Sequence, residues 1–228
     1  MYRIVYSQKT DVGRVRENNE DAMLVVKPEG EPERKGILFV IADGLGGLPY
    51  GEVASRKSVL LMDRLYRANK AFSDAGWLRR AMEKANAEVY RLNQARPGEL
   101  PMATTLTASW FRGGELAIGH VGDCRVYRIR AGSLARLTRD HTTDRNTLTR
   151  TIGAEEKVEV DLVETPLEAH DTYVQCSDGL YSMVGEEELA ETVSRYSPAE
   201  SCERLTALAN RYGGADNVTL QVVRMEKE

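Results

Sequence analysis

Three apolar runs in this chain end in an aspartate beside a glycine. Ile37–Ala42 runs into Asp43-Gly44, Ala117–Val121 into Gly122-Asp123, and Tyr173–Cys176 into Ser177-Asp178-Gly179. Two further acidic sites precede apolar runs: Asn19-Glu20-Asp21 before Ala22–Val26, and Asp216-Asn217 before Val218–Val223. Taken singly, an Asp-Gly after a strand is an ordinary turn. Recurrence at five strand ends points to convergence, and carboxylates that share a small volume repel one another unless cations neutralise them. The donors are all oxygen, with no histidine or thiolate recruited, which favours Mg²⁺ or Mn²⁺ over zinc. Two such ions ~3.5–4 Å apart can acidify a bridging water and hold an anion for in-line attack.

Arg16 lies four residues before Glu20. Its planar fork suits two phosphate oxygens, but it serves equally well as a structural ion-pair partner, and spacing leaves both readings open. Gly44-Leu45-Gly46-Gly47 has the look of a phosphate cradle, yet it matches neither GxGxxG nor a P-loop. Asp43 also puts negative charge where a bare phosphate would sit. With metal between them that objection goes, and the Gly44 carbonyl becomes a candidate ligand. Hard-metal carboxylates and a phosphate-binding arginine together suggest metal-assisted phosphoester hydrolysis.

Other reactive side chains have plainer readings. His120 lies inside a strand and is expected to be packed and hydrogen-bonded. His141 is expected to tie a short loop, and His170 to sit in a surface turn. Ser177 lacks a Gly-x-Ser-x-Gly elbow. Cys176 ends an apolar run and is expected to be buried and inert. Trp77 and Trp110 read as core aromatics.

These residues must be positioned by a folded chain of 228 residues with 42% hydrophobic and 29% charged residues and a formal charge of −4. Such a chain is too apolar for disorder and large enough for one substantial core. The small acidic excess argues against nucleic-acid binding. No apolar run approaches the ~20 residues that span a bilayer, and no leader-like run is seen at the N-terminus. Three widely spaced cysteines suit a reducing compartment. The expectation is one cytoplasmic domain over residues 1–228, monomeric, binding neither nucleic acid nor membrane.

Extended runs are expected at Ile4–Tyr6, Ala22–Val26, Gly36–Ala42, Thr104–Phe111, Glu115–Val121, Arg125–Ala131, Leu134–Leu137, Val158–Glu164, Thr172–Cys176 and Val218–Met225. Helices are expected over Gly51–Asn69, Asp74–Ala95, Glu186–Arg195 and Pro198–Tyr212. The first carries Val53, Leu60, Leu61, Leu65 and Ala68 on its apolar face, and the second Leu78, Ala81, Ala85, Val89 and Leu92. Ser73 or Asp74 can cap the second. Ser197-Pro198-Ala199-Glu200 spells an N-cap, a proline at the first turn and a capping box. Strict β-α-β alternation is absent, so the fold class is α+β: two packed antiparallel sheets, each covered by a helical pair in a four-layer α-β-β-α sandwich.

In order along the chain stand Asp11-x-Gly13-x-x-Arg16-x-x-Asn19-Glu20-Asp21, Ala42-Asp43-Gly44-Leu45-Gly46-Gly47, Thr104-Thr105-Leu106 and Gly119-His120-Val121-Gly122-Asp123-x-Arg125. They are followed by Leu137-Thr138-x-Asp140-His141, Arg145-Asn146-x-Leu148-Thr149-Arg150, Cys176-Ser177-Asp178-Gly179-Leu180 and Asp216-Asn217-x-Thr219. This series resembles the metal-dependent serine/threonine protein phosphatases, the PPM or protein phosphatase 2C family, in compact bacterial form. The resemblance implies an enzyme that hydrolyses phosphoserine and phosphothreonine on proteins with a water bridging two Mn²⁺ or Mg²⁺ ions. It implies that Asp43 bridges both ions, the Gly44 carbonyl completes the first, and Asp178 and Asp216 hold the second. Glu20 and Asp21 would act through coordinated water, Asp123 with Asp178 would make a weaker third site, and Arg16 would grip the substrate phosphate. Its partners would be phosphoproteins and an opposing serine/threonine kinase, one possible setting being control of a secretion machine.

Leu45 stands where some relatives place a histidine, and Cys124 where serine is common. Only Thr142-Thr143-Asp144 separates His141 from Arg145, where bacterial members usually insert a mobile flap. The flap is expected to be reduced to a short turn, leaving a more open site and a less occupied third metal position. The rival reading is a binding module that keeps the fold without turnover, and the retained Asp43, Asp178 and Asp216 argue against it.

Overall fold

A computed structural model describes residues 2–28, 35–69, 76–143 and 147–227. The chain forms two compact units, each assembled from separate stretches. One comprises Met1–Asn19, Arg125–Arg139 and Leu167–Glu228, the other Glu20–Cys124 and Asp140–Pro166.

The first unit is built on a five-stranded antiparallel sheet. Its strands are β1 (Tyr2–Asp11), β6 (Arg125–Arg130), β7 (Ser133–Arg136), β9 (Thr172–Cys176) and β10 (Val218–Lys227), in the order β1-β10-β9-β6-β7. β1 and β10 pair along their whole length, from Tyr2 opposite Lys227 to Asp11 opposite Val218. That register sets the segment after Asp11 beside Asp216-Asn217. Pairing of Leu220 with Cys176 sets Ser177-Asp178 at the same end. The helices of this unit are α3 (Asp178–Tyr181), α4 (Glu186–Arg195) and α5 (Pro198–Arg211). Val174, Leu180, Leu189, Val193, Leu205 and Val222 belong to its core. The capping box forms as the sequence predicts, with Ser197 and Glu200 bonding reciprocally and Pro198 in the first turn.

The second unit carries β2 (Ala22–Val26), β3 (Ile37–Ala42), β4 (Leu106–Arg112), β5 (Glu115–Val121) and β8 (Asp161–Pro166), antiparallel in that order. Its helices are α1 (Gly51–Ala68) and α2, described over Gly76–Gln94. The Ser73 and Asp74 caps, and most of the Lys27–Gly36 loop, lie outside the described residues. Tyr66, Trp77 and Trp110 meet edge-on or tilted, with centroids 5.2–6.5 Å apart. The polar ends of two of these rings are satisfied, Trp110 Nε1 on the Lys35 carbonyl at 2.7 Å and the Tyr66 hydroxyl on the Gly36 carbonyl at 2.6 Å.

Three expectations are corrected. α1 buries Ala54, Ser55, Ser58, Val59, Met62 and Tyr66, whereas Leu60 is 55% exposed and Ala68 is exposed too. The central stripe mixes small residues with Met62 and Tyr66, while Val53, Leu61 and Leu65 of the expected face pack half-buried against the same core. The strand expected from Val158 begins at Asp161, opposite His120, so the ladder with β5 starts three residues later than the apolar pattern suggests. The short helix at Asp178–Tyr181 was not expected from the pattern. Among the described residues, no helix is long and apolar enough to cross a membrane.

Candidate metal and phosphate site

In the first unit the N-terminal segment is stitched to the turn before β10. Asn217 Nδ2 donates to the carbonyls of Val12 and Asn18, each at 2.9 Å, and Arg14 N–H donates to the Gly214 carbonyl at 2.8 Å. Gly13 sits at φ +81, and a Cβ there would run into the Asp216 and Gly214 carbonyls, so only glycine lets these backbones meet. Asp11 Oδ1 accepts from Gly13 N–H at 2.9 Å and from Asn210 at 3.0 Å. The Asn210 bond is the main reason its carboxyl is held below the ordinary value.

On this frame Arg16 Nη2 donates to Asp216 Oδ2 at 2.7 Å, with 44% of the arginine side chain and 32% of the aspartate exposed. Asp216 Oδ1 also accepts from Asn217 N–H at 2.8 Å. A Cβ on Gly179 would strike the Asn217 carbonyl, so the Asp178-Gly179 turn lies directly on Asp216-Asn217. Ser177 is fully buried; its hydroxyl accepts from Thr219 N–H at 3.0 Å and reaches the Asn217 carbonyl at 3.4 Å. It is a staple between these two turns and not a nucleophile. Arg16, Asp178 and Asp216 are thus assembled in one unit.

In the second unit the register of the sheet performs the same task. Ala22 pairs with Ala42 and Leu106 with Val121, which sets Asp21, Asp43 and the Gly122-Asp123 turn at one sheet end. The paired threonines fix Asp43 through its backbone. Thr105 Oγ1 accepts from Asp43 N–H at 2.9 Å, while Thr105 N–H at 2.8 Å and Thr104 Oγ1 at 2.7 Å donate to the Asp43 carbonyl. Gly44 N–H donates to the Glu20 carbonyl at 3.2 Å, and Ser55 Oγ donates to that same carbonyl at 2.6 Å. A Cβ on Gly44 would lie 2.5 Å from the Gly51 backbone, and one on Gly51 2.6 Å from Glu20 Oε2. The two glycines therefore keep Glu20 against the Asp43-Gly44 turn.

Cys124 reports on the charge gathered here. Its thiol is completely buried and bonded to Thr105 Oγ1 at 3.2 Å. Burial pushes its pKa well above the ordinary thiol value, and the charges of Asp43, Asp123 and Asp21 push it the same way. A thiol so held stays protonated and is a poor ligand, so the donors near it are carboxylate and carbonyl oxygens. That set suits a hard divalent ion. Among the described residues, no three His, Cys, Asp or Glu side chains stand close enough to hold an ion by themselves. The fit therefore rests on donor chemistry.

Sequence reasoning passed over several residues that organise these turns. Asn217 and Ser177 adjoin the aspartates they support, and adjacency was their only signal. Thr105 was visible in a paired motif, though its grip on Asp43 depends on sheet register. His120 and His141 are buried and hydrogen-bonded, as expected. Cys176 is buried and free, as are the other two cysteines. His170 is an exposed turn residue at φ +69.

Hard-oxygen donors at sheet ends, with an arginine among them, are the equipment of metal-assisted phosphoester hydrolysis. Residues 14–211 match the family model described as protein phosphatase 2C. The chain is 32% identical to the serine/threonine phosphatase Stp of Listeria monocytogenes over 96% of its own length and 94% of that relative. The crystal structure of the serine/threonine phosphatase PstP/Ppp of Mycobacterium tuberculosis matches with a TM-score of 0.86 at 32% identity, over the whole of both chains. Another structure, of the PstP catalytic domain in complex with two manganese ions, matches equally well. PppA, described as a key regulatory component of the type VI secretion system in Pseudomonas aeruginosa, matches with a TM-score of 0.85 at 31% identity, over 97% of each chain. The chain belongs to the protein phosphatase 2C family. It is a metal-dependent serine/threonine phosphatase, and its fold is the family's pair of antiparallel five-stranded sheets with flanking helices.

Proposed function

We propose that Asp43, the Gly44 carbonyl, Asp178 and Asp216 hold two Mn²⁺ or Mg²⁺ ions, with Glu20 and Asp21 acting through coordinated solvent and Asp123 serving a weaker third ion. When bound, the ions supply a solvent molecule acidic enough to attack phosphorus and neutralise phosphoryl charge. Arg16 orients the phosphate of a phosphoserine or phosphothreonine side chain. The observation that carries this reading is the Arg16–Asp216 pair set on the Asp178-Gly179 turn. An exposed ion pair contributes only about 0–1 kcal/mol. Its guanidinium can therefore transfer to a dianionic phosphate, which accepts two parallel bonds from the same fork. Gly13 and Asn217 keep that arginine in place while its partner changes.

The family model runs through both units, which supports one phosphatase domain over residues 1–228. A monomeric cytoplasmic enzyme opposing a serine/threonine kinase suits this reading. The likeness to PppA favours control of a secretion machine as its setting. The test is hydrolysis of p-nitrophenyl phosphate and of a phosphothreonine peptide by the purified protein. Activity should require Mn²⁺ or Mg²⁺ and vanish in chelator. Asp43→Asn and Asp178→Asn should each lower kcat by roughly a hundredfold or more, as expected for losing several kcal/mol of metal assistance. A folded protein without Mn²⁺-dependent turnover rejects the reading.

A further inference from the structure

The turn that carries Asp123 is held by one side chain outside the proposed machinery. Gly122 adopts φ +108. Its N–H donates to Nδ1 of His141 at 3.1 Å, and the His141 N–H donates to the Gly122 carbonyl at 2.8 Å. Both backbone polar groups of Gly122 are thus engaged by a single residue. The His141 ring is buried and packs on His120 with centroids 4.8 Å apart. His120 in turn is anchored through Nδ1 to the Thr107 hydroxyl at 2.8 Å.

This geometry assigns the proton on His141. A nitrogen that accepts a backbone N–H must be bare, so the ring hydrogen is on Nε2. Nε2 lies 3.1 Å from Asp161 Oδ2, and that bond locks both tautomer and ring angle, as carboxylates do for metal-ligating histidines. The other Asp161 oxygen accepts from Arg150 Nη1 at 2.7 Å. Burial opposes the charge on Asp161, yet the bonds from His141 and Arg150 hold its carboxyl below the ordinary value. Described residues between His141 and Arg150 pair with one another: Thr142 bridges to Leu148, Thr143 N–H bonds the Thr147 carbonyl, and Thr149 N–H the His141 carbonyl, each at 2.8 Å. This pairing brings His141 and Arg150 to the same carboxylate.

We propose that His141, oriented by Asp161 and Arg150, is a positioning residue that fixes the Gly122-Asp123 turn and so aims the Asp123 carboxylate, an inference resting on the assignment of Asp123 to the weaker ion. It acts through the backbone and touches neither substrate nor metal.

The test uses the full chain with His141→Leu, which removes the acceptor, His141→Asn, whose Oδ1 can replace Nδ1, and Asp161→Ala, which frees the ring. Nitrogen NMR of the metal-free protein should find His141 as the Nε2–H tautomer. Exchange of the Gly122 amide should quicken roughly tenfold in His141→Leu, as for the loss of one hydrogen bond, and return toward wild type in His141→Asn. Calorimetric Mn²⁺ titration should show the weakest binding event in His141→Leu weakened by ~10–100-fold, the range for lost support around a metal ligand, with the tighter events within twofold. Wild-type Gly122 exchange in folded His141→Leu, or the opposite tautomer, overturns the proposal. If His141→Leu does not fold, unchanged tautomer and Gly122 exchange in Asp161→Ala overturn it. A faster Gly122 amide in a protein whose wild type takes up no third ion supports the positioning and removes Asp123 from the metal set.

Discussion

An exposed arginine that rests on a carboxylate gives up little when an anion replaces its partner. Arg16→Ala should therefore change stability by no more than about 0.5 kcal/mol. It should also lower kcat/KM for a phosphothreonine peptide by roughly 10–100-fold, the worth of a bidentate charged contact. Urea midpoints and steady-state kinetics on one preparation separate the two effects. Gly13 is the converse case. At φ +81 with the Asp216 carbonyl where a Cβ would sit, Gly13→Ala should cost at least about 1–2 kcal/mol in left-handed strain, before any displacement of the Arg16-bearing loop, and the same urea midpoints would read it. Spacing picked out Asp43, Asp178 and Asp216 as candidates, since acidic residues at strand ends stand out against apolar runs. It left Arg16 divided between ion pair and phosphate anchor, because an acid it pairs with, Asp216, is two hundred residues away. Only strand register brings such a pair together.

Strands were legible wherever an apolar run was bounded by turn residues, as at Glu115–Val121 between two glycines and Thr172–Cys176 between Asp171 and Ser177. Helix faces were less so. Counting the large apolar residues of α1 selects Leu60, but the buried stripe runs through Ser55, Ser58 and Met62, since two of these are serines that an apolar count passes over. Met62→Ala should cost about 2–5 kcal/mol and Leu60→Gln within about 0.5 kcal/mol, measured by chemical denaturation. Reversed values would restore the face read from sequence. The turn before β9 has its own pH signature. Asp171 is fully buried. Burial raises its pKa, but bonds from Arg130, Tyr173 and the Glu168 N–H prevail and hold it below 3.8. A carboxyl depressed on folding stabilises the protein above its unfolded pKa, near 4, and that contribution fades as pH falls through the folded value. Asp171→Asn should therefore destabilise at pH 7 by roughly 2–4 kcal/mol, and by less at pH 3, which lies below the unfolded value. Urea midpoints at the two pH values would show it, and equal losses would mean that the effect is one of packing.

Over the whole molecule, the order of motifs was readable because each lies at the end of an element whose apolar pattern is clear. What was not readable is the backbone support: the Asn217 staples, the Thr105 grip on Asp43 and the His141 hold on Gly122. These are made by ordinary polar residues whose importance appears only once distant strands pair. Such support implies turns set before any ion arrives, so metal binding should stabilise the chain instead of folding it. An ion that binds the native state alone contributes about 2.7 kcal/mol at a hundred times its Kd. In a chain of this size that corresponds to a rise in unfolding midpoint of roughly 5–11 °C. Differential scanning fluorimetry should show this rise on adding Mn²⁺, its reversal by chelator, and its loss in Asp43→Asn and Asp216→Asn. In metal-free buffer Asp216→Asn should shift the midpoint little, because its exposed pair with Arg16 contributes only about 0–1 kcal/mol. A variant that melts lower without metal but still responds to Mn²⁺ would show its aspartate to be a structural residue and not a ligand.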